Sequence, residues 1–248
     1  MHDIAVREAR SFDDILAMCD VFAAVWGEAG VPAPNVCRAM QHAGGYLVLA
    51  EEDGAVVAAS LGFLGRHADG SLLLHSHITG TRPGFDNRGI GFTVKQHQRS
   101  WCLDRGIGTI AWTFDPLVRR NAFFNLTKLG AEATEYHADF YGDMGDALNA
   151  GDESDRIVAT WQLKSDRAVD REPPADALLA LDVGEDGRPV IVGGRGPTLL
   201  HRVPAAMPED GRRVEWRRAV RDTLGAAIAD GYVGTGMTTD GAYVLRRP

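Results

Sequence analysis

Residues 72–91 read LLLHSHITGTRPGFDNRGIG. The stretch opens as an apolar, partly β-branched run, the pattern of a buried strand. It then passes through Pro83, Gly84 and Asn87 into Gly89-Ile90-Gly91, and a helical pattern follows directly. The first N–H groups of a helix have no intrahelical partner, and the helix dipole adds positive potential there. A strand that turns through glycines into a helix start is therefore a place to hold a phosphate or pyrophosphate. At Gly89 and Gly91 a missing Cβ permits positive φ and lets an anion approach the backbone.

Two nucleotide-type readings fail on residues. Position 94 is Val94, so the third glycine of a Rossmann fingerprint is missing, and no Gly-Lys-Ser/Thr closes the loop as a P-loop requires. The strand, the glycine turn and the helix resemble the strand–R/Q-x-x-G-x-G/A–helix signature of a known superfamily. In Thr79-Gly80-Thr81, Pro83 and Asn87-Arg88-Gly89-Ile90-Gly91 the sequence resembles the GNAT acyltransferase superfamily. One residue departs from the pattern: Asp86 stands where the family carries Arg or Gln, so Asp86 is expected to point away and Arg88 to supply the positive charge. The resemblance spans roughly Ile4 to Leu163 in element order.

That element order is legible without the resemblance. Ile4–Arg7 reads as a short strand. Ser11 and Asp14 form a capping-box start for a helix with Ile15, Met18, Cys19, Phe22, Val25 and Trp26 inward, ending near Gly27. Residues 32–45 read as a second helix with Val36, Ala39 and Met40 inward. Tyr46–Ala50 and Ala55–Phe63 flank Glu-Glu-Asp-Gly as a hairpin, and a turn at 67–71 leads into the strand at Leu72. A helix to about Asp104, a strand over 107–114, and a helix with Val118, Ala122, Leu126 and Leu129 on one stripe follow; the strands at 72 and 107 are expected to be parallel. Tyr136–Tyr141 and Arg156–Leu163 are expected as the sixth and seventh strands. The fold class expected is α/β (α+β), a mixed, mostly antiparallel central sheet flanked by helices.

Residues 165–177 are charged, contain Pro173-Pro174, and read as a linker between a domain over 1–165 and a C-terminal α+β extension over 166–248. In the extension a hairpin is expected around 184–188, a strand at 198–203, an amphipathic helix over 214–229, and two further strands ending at Leu245. Capping an acceptor pocket, completing the sheet and forming a homodimer contact are the roles open to it.

Composition narrows the partners. The 248 residues carry a net charge of −8, which argues against a nucleic-acid partner, because phosphate neutralisation needs a basic face. No run approaches the ~18 apolar residues that cross a bilayer. Cys19, Cys37 and Cys102 are odd in number and form no C-x-x-C, so they read as free thiols of a reducing compartment, and the expected location is the cytoplasm.

In GNAT enzymes, the resemblance implies, two central parallel strands splay and the pantetheine arm of an acyl-CoA pairs with the exposed strand backbone, here Ile78, Thr79, Gly80 and Thr81. The pyrophosphate would rest on Asn87, Arg88, Gly89, Ile90, Gly91 and Phe92, and Asn121, which shares a helix face with Asn125 in an α-helix, would bond the arm. His75 occupies the position of a glutamate general base in some members, and an imidazole near pKa 6.5 suits proton removal from an amine. His77 lies two residues on, on the same side; a core histidine held by hydrogen bonds is the alternative for both. The family's thiolate-protonating tyrosine is replaced by Leu126, which leaves Tyr136, Tyr141 or water. No metal is expected. The sequence thus leads to an N-acyltransferase that moves an acyl group from acetyl-CoA to a small-molecule amine. A non-catalytic acyl-CoA-binding module and a transferase using a carrier-protein thioester are the alternatives.

Overall fold

Leu72–Thr81 does form a strand, and the sheet around it is built from neighbours in sequence. The computed structural model describes residues 4–142, 144, 152–165, 169, 172–209 and 211–247. Five of the thirteen residues of the expected linker, 166–168 and 170–171, lie outside them. Contacts divide the chain into two units, Met1–Trp112 with Met144–Ala150, and Thr113–Asp143 with Gly151–Pro248.

The first unit runs β1 (Ile4–Glu8), α1 (Phe12–Trp26), α2 (Pro34–His42), β2 (Tyr46–Glu52), β3 (Ala55–Arg66), β4 (Leu72–Thr81), α3 (Ile90–Leu103) and β5 (Thr109–Phe114), whose last two residues fall in the second unit. The sheet order is β1-β2-β3-β4-β5, antiparallel except for β4 and β5, which are parallel. The capping box forms: Ser11 Oγ accepts from Asp14 N–H at 3.1 Å and Asp14 accepts from Ser11 N–H at 3.0 Å, an arrangement worth about 1 kcal/mol. The β2–β3 turn uses Asp53 (φ 51°) and Gly54 (φ 79°). Two successive left-handed residues match the twist of the strands they join.

The core of this unit is the stripe Ile15, Met18 and Phe22 of α1 against Leu47 and Leu49 of β2 and Ala59 and Leu61 of β3. Each large apolar side chain buried there contributes roughly 1.5–3 kcal/mol. The α2 face differs from expectation. Val36 and Ala39 are exposed, and Cys37 is the fully buried residue. Cys37 turns toward Cys19 of α1, and both thiols reach Pro32 O, at 3.9 and 3.7 Å. The helix starts at Pro34 rather than Pro32.

In the second unit, α4 (Arg119–Ala122) runs into a π turn, Phe123–Lys128. Then come β6 (Glu132–His137), β7 (Arg156–Gln162), β8 (Leu178–Val183), β9 (Pro189–Ile191), β10 (Thr198–Arg202), α5 (Gly211–Val220) with a second π turn, α6 (Ala226–Ala229), β11 (Val233–Met237) and β12 (Ala242–Arg246). Their sheet order is β7-β6-β11-β12-β10-β8-β9, so strands from the extension share a sheet with β6 and β7. Thr127, in the first π turn, donates its hydroxyl to Met237 O at 2.9 Å and accepts from Met237 N–H at 3.0 Å. Arg217, 2% exposed, grips both oxygens of Asp115 at 2.7 and 2.9 Å. Trp216, Val220, Leu224 and Ala227 are buried, as their spacing predicts. Among the described residues no helix is long and apolar enough to cross a membrane.

Gly80 of β4 packs under α1. A Cβ there would stand 2.8 Å from Trp26 Cζ3 and 3.3 Å from Val25 Cγ2. Gly80→Ala is expected to cost about 1–3 kcal/mol by overpacking, read as a lower urea midpoint with an unchanged slope.

Candidate functional site

Two features of β4 make it unlike its neighbours. On the β3 side, Leu61 pairs with Ile78 and Gly62 with Ser76, so His77 is an extra residue, a β-bulge. Bulges bend a strand and re-aim its side chains, and they gather beside active sites. The alternation changes phase across this one. Ser76 faces α3, where it meets Lys95, whereas Ile78 packs with the α1 core and Gly80 meets Trp26. On the β5 side, the ladder consists of Leu74–Ile110 and His75–Ala111 and goes no further. From Ser76 onward β4 is paired on one side, and peptide groups left unpaired are strong sites for another polar chain.

The bulge places His75 and His77 together with Phe63, the residue opposite His75. Ring centroids are 4.9 Å apart for Phe63–His75, 5.8 Å for Phe63–His77 and 6.0 Å for the two histidines. This is a shelf of three rings. Burial pulls the His75 imidazole down to about 4, and His77 and Lys95 push the same way. His77 is exposed at one edge, and its packed side lowers its pKa as well. Both rings are therefore neutral near pH 7, and His75 holds a proton far more weakly than the value near 6.5 read from sequence.

The turn into α3 has the geometry an anion site needs. Gly84, Asn87 and Gly89 take φ of 87°, 62° and 80°. Gly91, by contrast, has an ordinary helical φ, and a Cβ built on it would meet nothing within 4 Å. Its glycine serves approach to the backbone rather than the turn. Arg88 is not a free cation. Its Nη1 donates to Glu52 Oε2 at 2.9 Å, with Glu52 only 5% exposed, and the guanidinium lies 4.8 Å from the centre of the Phe85 ring.

Lys95 was not singled out by sequence. Its Nζ lies between Ser76 Oγ (2.9 Å), Gln98 Oε1 (3.1 Å) and the face of Trp112 (3.9 Å). Burial pulls its pKa from 10.5 to about 7. The signal was present: Lys95 precedes Gln98 by three residues and Cys102 by seven, and both belong to the inward face.

The remaining candidates sit in the second unit. Asn121 is exposed and Asn125 is 5% exposed, so they do not share a face. The wider π turn from Phe123 takes more residues per turn and so shifts the phase of Asn125 relative to Asn121. Tyr141 lies beyond β6 rather than on it, because the strand ends at His137 and Asp139 (φ 45°) turns the chain. Its hydroxyl is 2.9 Å from Thr113 Oγ1. Tyr136 donates to Asp155 Oδ2 at 2.5 Å, and burial with that carboxylate raises its pKa far above the phenol range, which removes it as a proton donor to a thiolate.

No protein-family model matches the chain, and no curated protein does. Solved structures match in shape. Arabidopsis thaliana Naa50, in complex with the bisubstrate analogue CoA-Ac-MVNAL, gives a TM-score of 0.51 over 63% of this chain and 97% of its own, at 17% identity. The ribosomal-protein-S18-alanine N-acetyltransferase of Escherichia coli gives 0.52 over 66% and 96%, at 12% identity. The fold is the GNAT N-acetyltransferase fold. An N-acetyltransferase of Staphylococcus aureus Mu50 agrees, at 0.50 over 65% of this chain and 99% of its own, with 13% identity. At such identities the likeness is one of GNAT architecture, and the chemistry of this chain has to be argued from its own residues.

A folded-state pKa below the unfolded value makes His75 a liability in acid. Below about pH 6.5 the unfolded chain takes up a proton that folded His75 refuses until about pH 4. Its contribution to stability is complete above that window and is lost as pH falls through it. His75→Phe is expected to flatten the stability profile between those limits, and imidazole NMR should show two of the eight histidines, His75 and His201, titrating near 4, with one of those two signals lost in His75→Phe.

Proposed function

We propose that this protein is an acyl-CoA-dependent N-acyltransferase that moves an acyl group, acetyl in the first instance, from coenzyme A to a small-molecule amine. The observation that carries the reading is the parallel β4–β5 pair that stops after His75–Ala111 beside a strand-to-helix turn with open amides. A pantetheine arm is an amide-bearing chain, and the unpaired side of Ile78, Thr79, Gly80 and Thr81 offers it peptide partners. Asn87, Arg88, Gly89, Ile90, Gly91 and Phe92 form the turn assigned to the pyrophosphate. The GNAT fold, and the CoA-derived analogue in the Arabidopsis structure, support the same donor.

The thioester supplies an activated acyl group. The chain's own residues align the amine with it and exclude water, which accounts for much of the acceleration in a direct transfer. A backbone N–H of β4 beyond the last β5 pair is assigned to the developing oxyanion. His75 and His77, neutral near pH 7, are placed to accept a hydrogen bond from the attacking amine. With so weak a hold on a proton, His75 orients a free amine better than it deprotonates an ammonium, so turnover is expected to rise with pH toward the amine's own pKa. The ring shelf of Phe63, His75 and His77 favours an acceptor with a flat, uncharged body. A peptide N-terminus is the second reading, favoured by the peptide portion of the Arabidopsis analogue and by the Escherichia coli enzyme's alanine acceptor. We further assign residues 1–165 to the acyltransferase domain and 166–248 to an extension, a division by sequence that differs from the contact division after Trp112 and agrees in length with matches over 63–66% of this chain.

Thiol release from acetyl-CoA across panels of aromatic amines, aliphatic amines and short peptides separates the two acceptors. In calorimetry, Gly91→Asp is expected to weaken CoA binding by roughly tenfold or more, since it puts a carboxylate where an anion must lie, and to leave the melting temperature nearly unchanged. Wild-type protein that gives no heat with CoA would end this reading.

A further inference from the structure

β4 and β5 part after His75–Ala111. The next residues on the two strands are Ser76 and Trp112, and the Lys95 ammonium lies between them. It donates to Ser76 Oγ at 2.9 Å and to Gln98 Oε1 at 3.1 Å and stands 3.9 Å from the centre of the Trp112 ring. All four are deeply buried: Lys95 is 5% exposed, Ser76 4%, Gln98 0% and Trp112 6%. No carboxylate is hydrogen-bonded to Lys95 among the described residues, and Gln98 spends its carbonyl on the ammonium while its Nε2 has no partner among them. A methionine would fill the same space without desolvating a charge, but it would take the donor from Ser76 Oγ and Gln98 Oε1. The site accepts the cost of a buried charge at the point where the ladder ends.

We propose that Lys95 is a positioning residue that holds the fork open, fixing Ser76 of β4 and Trp112 of β5 apart and so setting the unpaired edge of β4. Its consequence for the thioester arm rests on the acyltransferase reading; the fork itself does not. The ammonium is the form the geometry uses, because a ring face attracts a cation and both side-chain partners accept. The titratable groups around it are His75 on β4, held neutral, and Cys102 on α3, whose thiol burial pushes up to about 12. Glu8 of β1 is taken by Trp101 and Arg105, and Tyr46 of β2 by His97. With its own pKa near 7, Lys95 clamps the fork below neutrality and relaxes it above.

The chain has only Lys95, Lys128 and Lys164, so 15N-lysine NMR of the full protein isolates the titration. Lys95→Met is expected to let the ladder extend, slowing amide exchange in β4 at Ser76 and His77 by about tenfold or more. It should also weaken CoA binding and abolish its dependence on pH through neutrality, whereas Lys95→Arg keeps the cation and most of the affinity. Unchanged exchange in Lys95→Met overturns the proposal, as does wild-type CoA binding with an unaltered pH profile. If wild-type protein binds no CoA, the acyltransferase reading falls and the exchange measurement still decides the fork. If Lys95→Met does not fold, the wild type decides: exchange at these two amides, corrected for intrinsic rates, must change across pH 7, and an unchanged pattern overturns the proposal.

Discussion

A parallel strand pair that breaks off after two residue pairs is the constraint on which the rest of the first unit depends. Peptide groups do not go unpaired without a reason, and the unit contains several devices that keep the break in place. The bulge at His77 changes the phase of β4, so the strand presents one face to α3 below it and another to α1 above it. Gly80 allows the upper part of the strand to lie against Trp26. At the base of the break stands a charged side chain where a hydrocarbon would have packed more cheaply.

The electrostatics follow from the same geometry. Lys95 has no counter-ion among the described residues, and His75 and His77 are both driven toward neutrality by burial. The site is thus a weakly basic, uncharged shelf over a single cation, rather than a carboxylate-driven base. Charge is kept away from the turn as well. Arg88, the residue that sequence offers as an anion partner, is committed to Glu52, and what remains for a ligand is backbone. A site made of amides and rings selects by shape and by hydrogen-bond direction more than by charge.

Much of this was legible in the sequence. The capping box at Ser11, the Asp53-Gly54 turn, the order of strands through β5, and the strand-to-helix turn at Gly89 all follow from local chemistry that tertiary packing leaves intact. The losses have separate causes. Val36 was placed inward on periodicity, but Cys37 wins because α1 presents Cys19 at that point. Asn121 and Asn125 were paired on a 3.6-residue count that the π turn breaks, and Tyr141 was read as strand because aromatic residues favour strands. Lys95 escaped because a lysine is read as solvated, although its register with Gln98 and Cys102 put it inside.

The π turn at Phe123–Lys128 has one more effect. Three successive residues, Asn125, Leu126 and Thr127, are buried, which the tighter winding of an α-helix would not permit on one side. The wider loop of chain swings Thr127 out to Met237, where a single hydroxyl answers both the carbonyl and the amide of one β11 residue. Met237 lies beyond the single Gly234–Ala133 pair of β11 with β6, and one threonine oxygen takes up the peptide groups that the neighbouring strand does not reach.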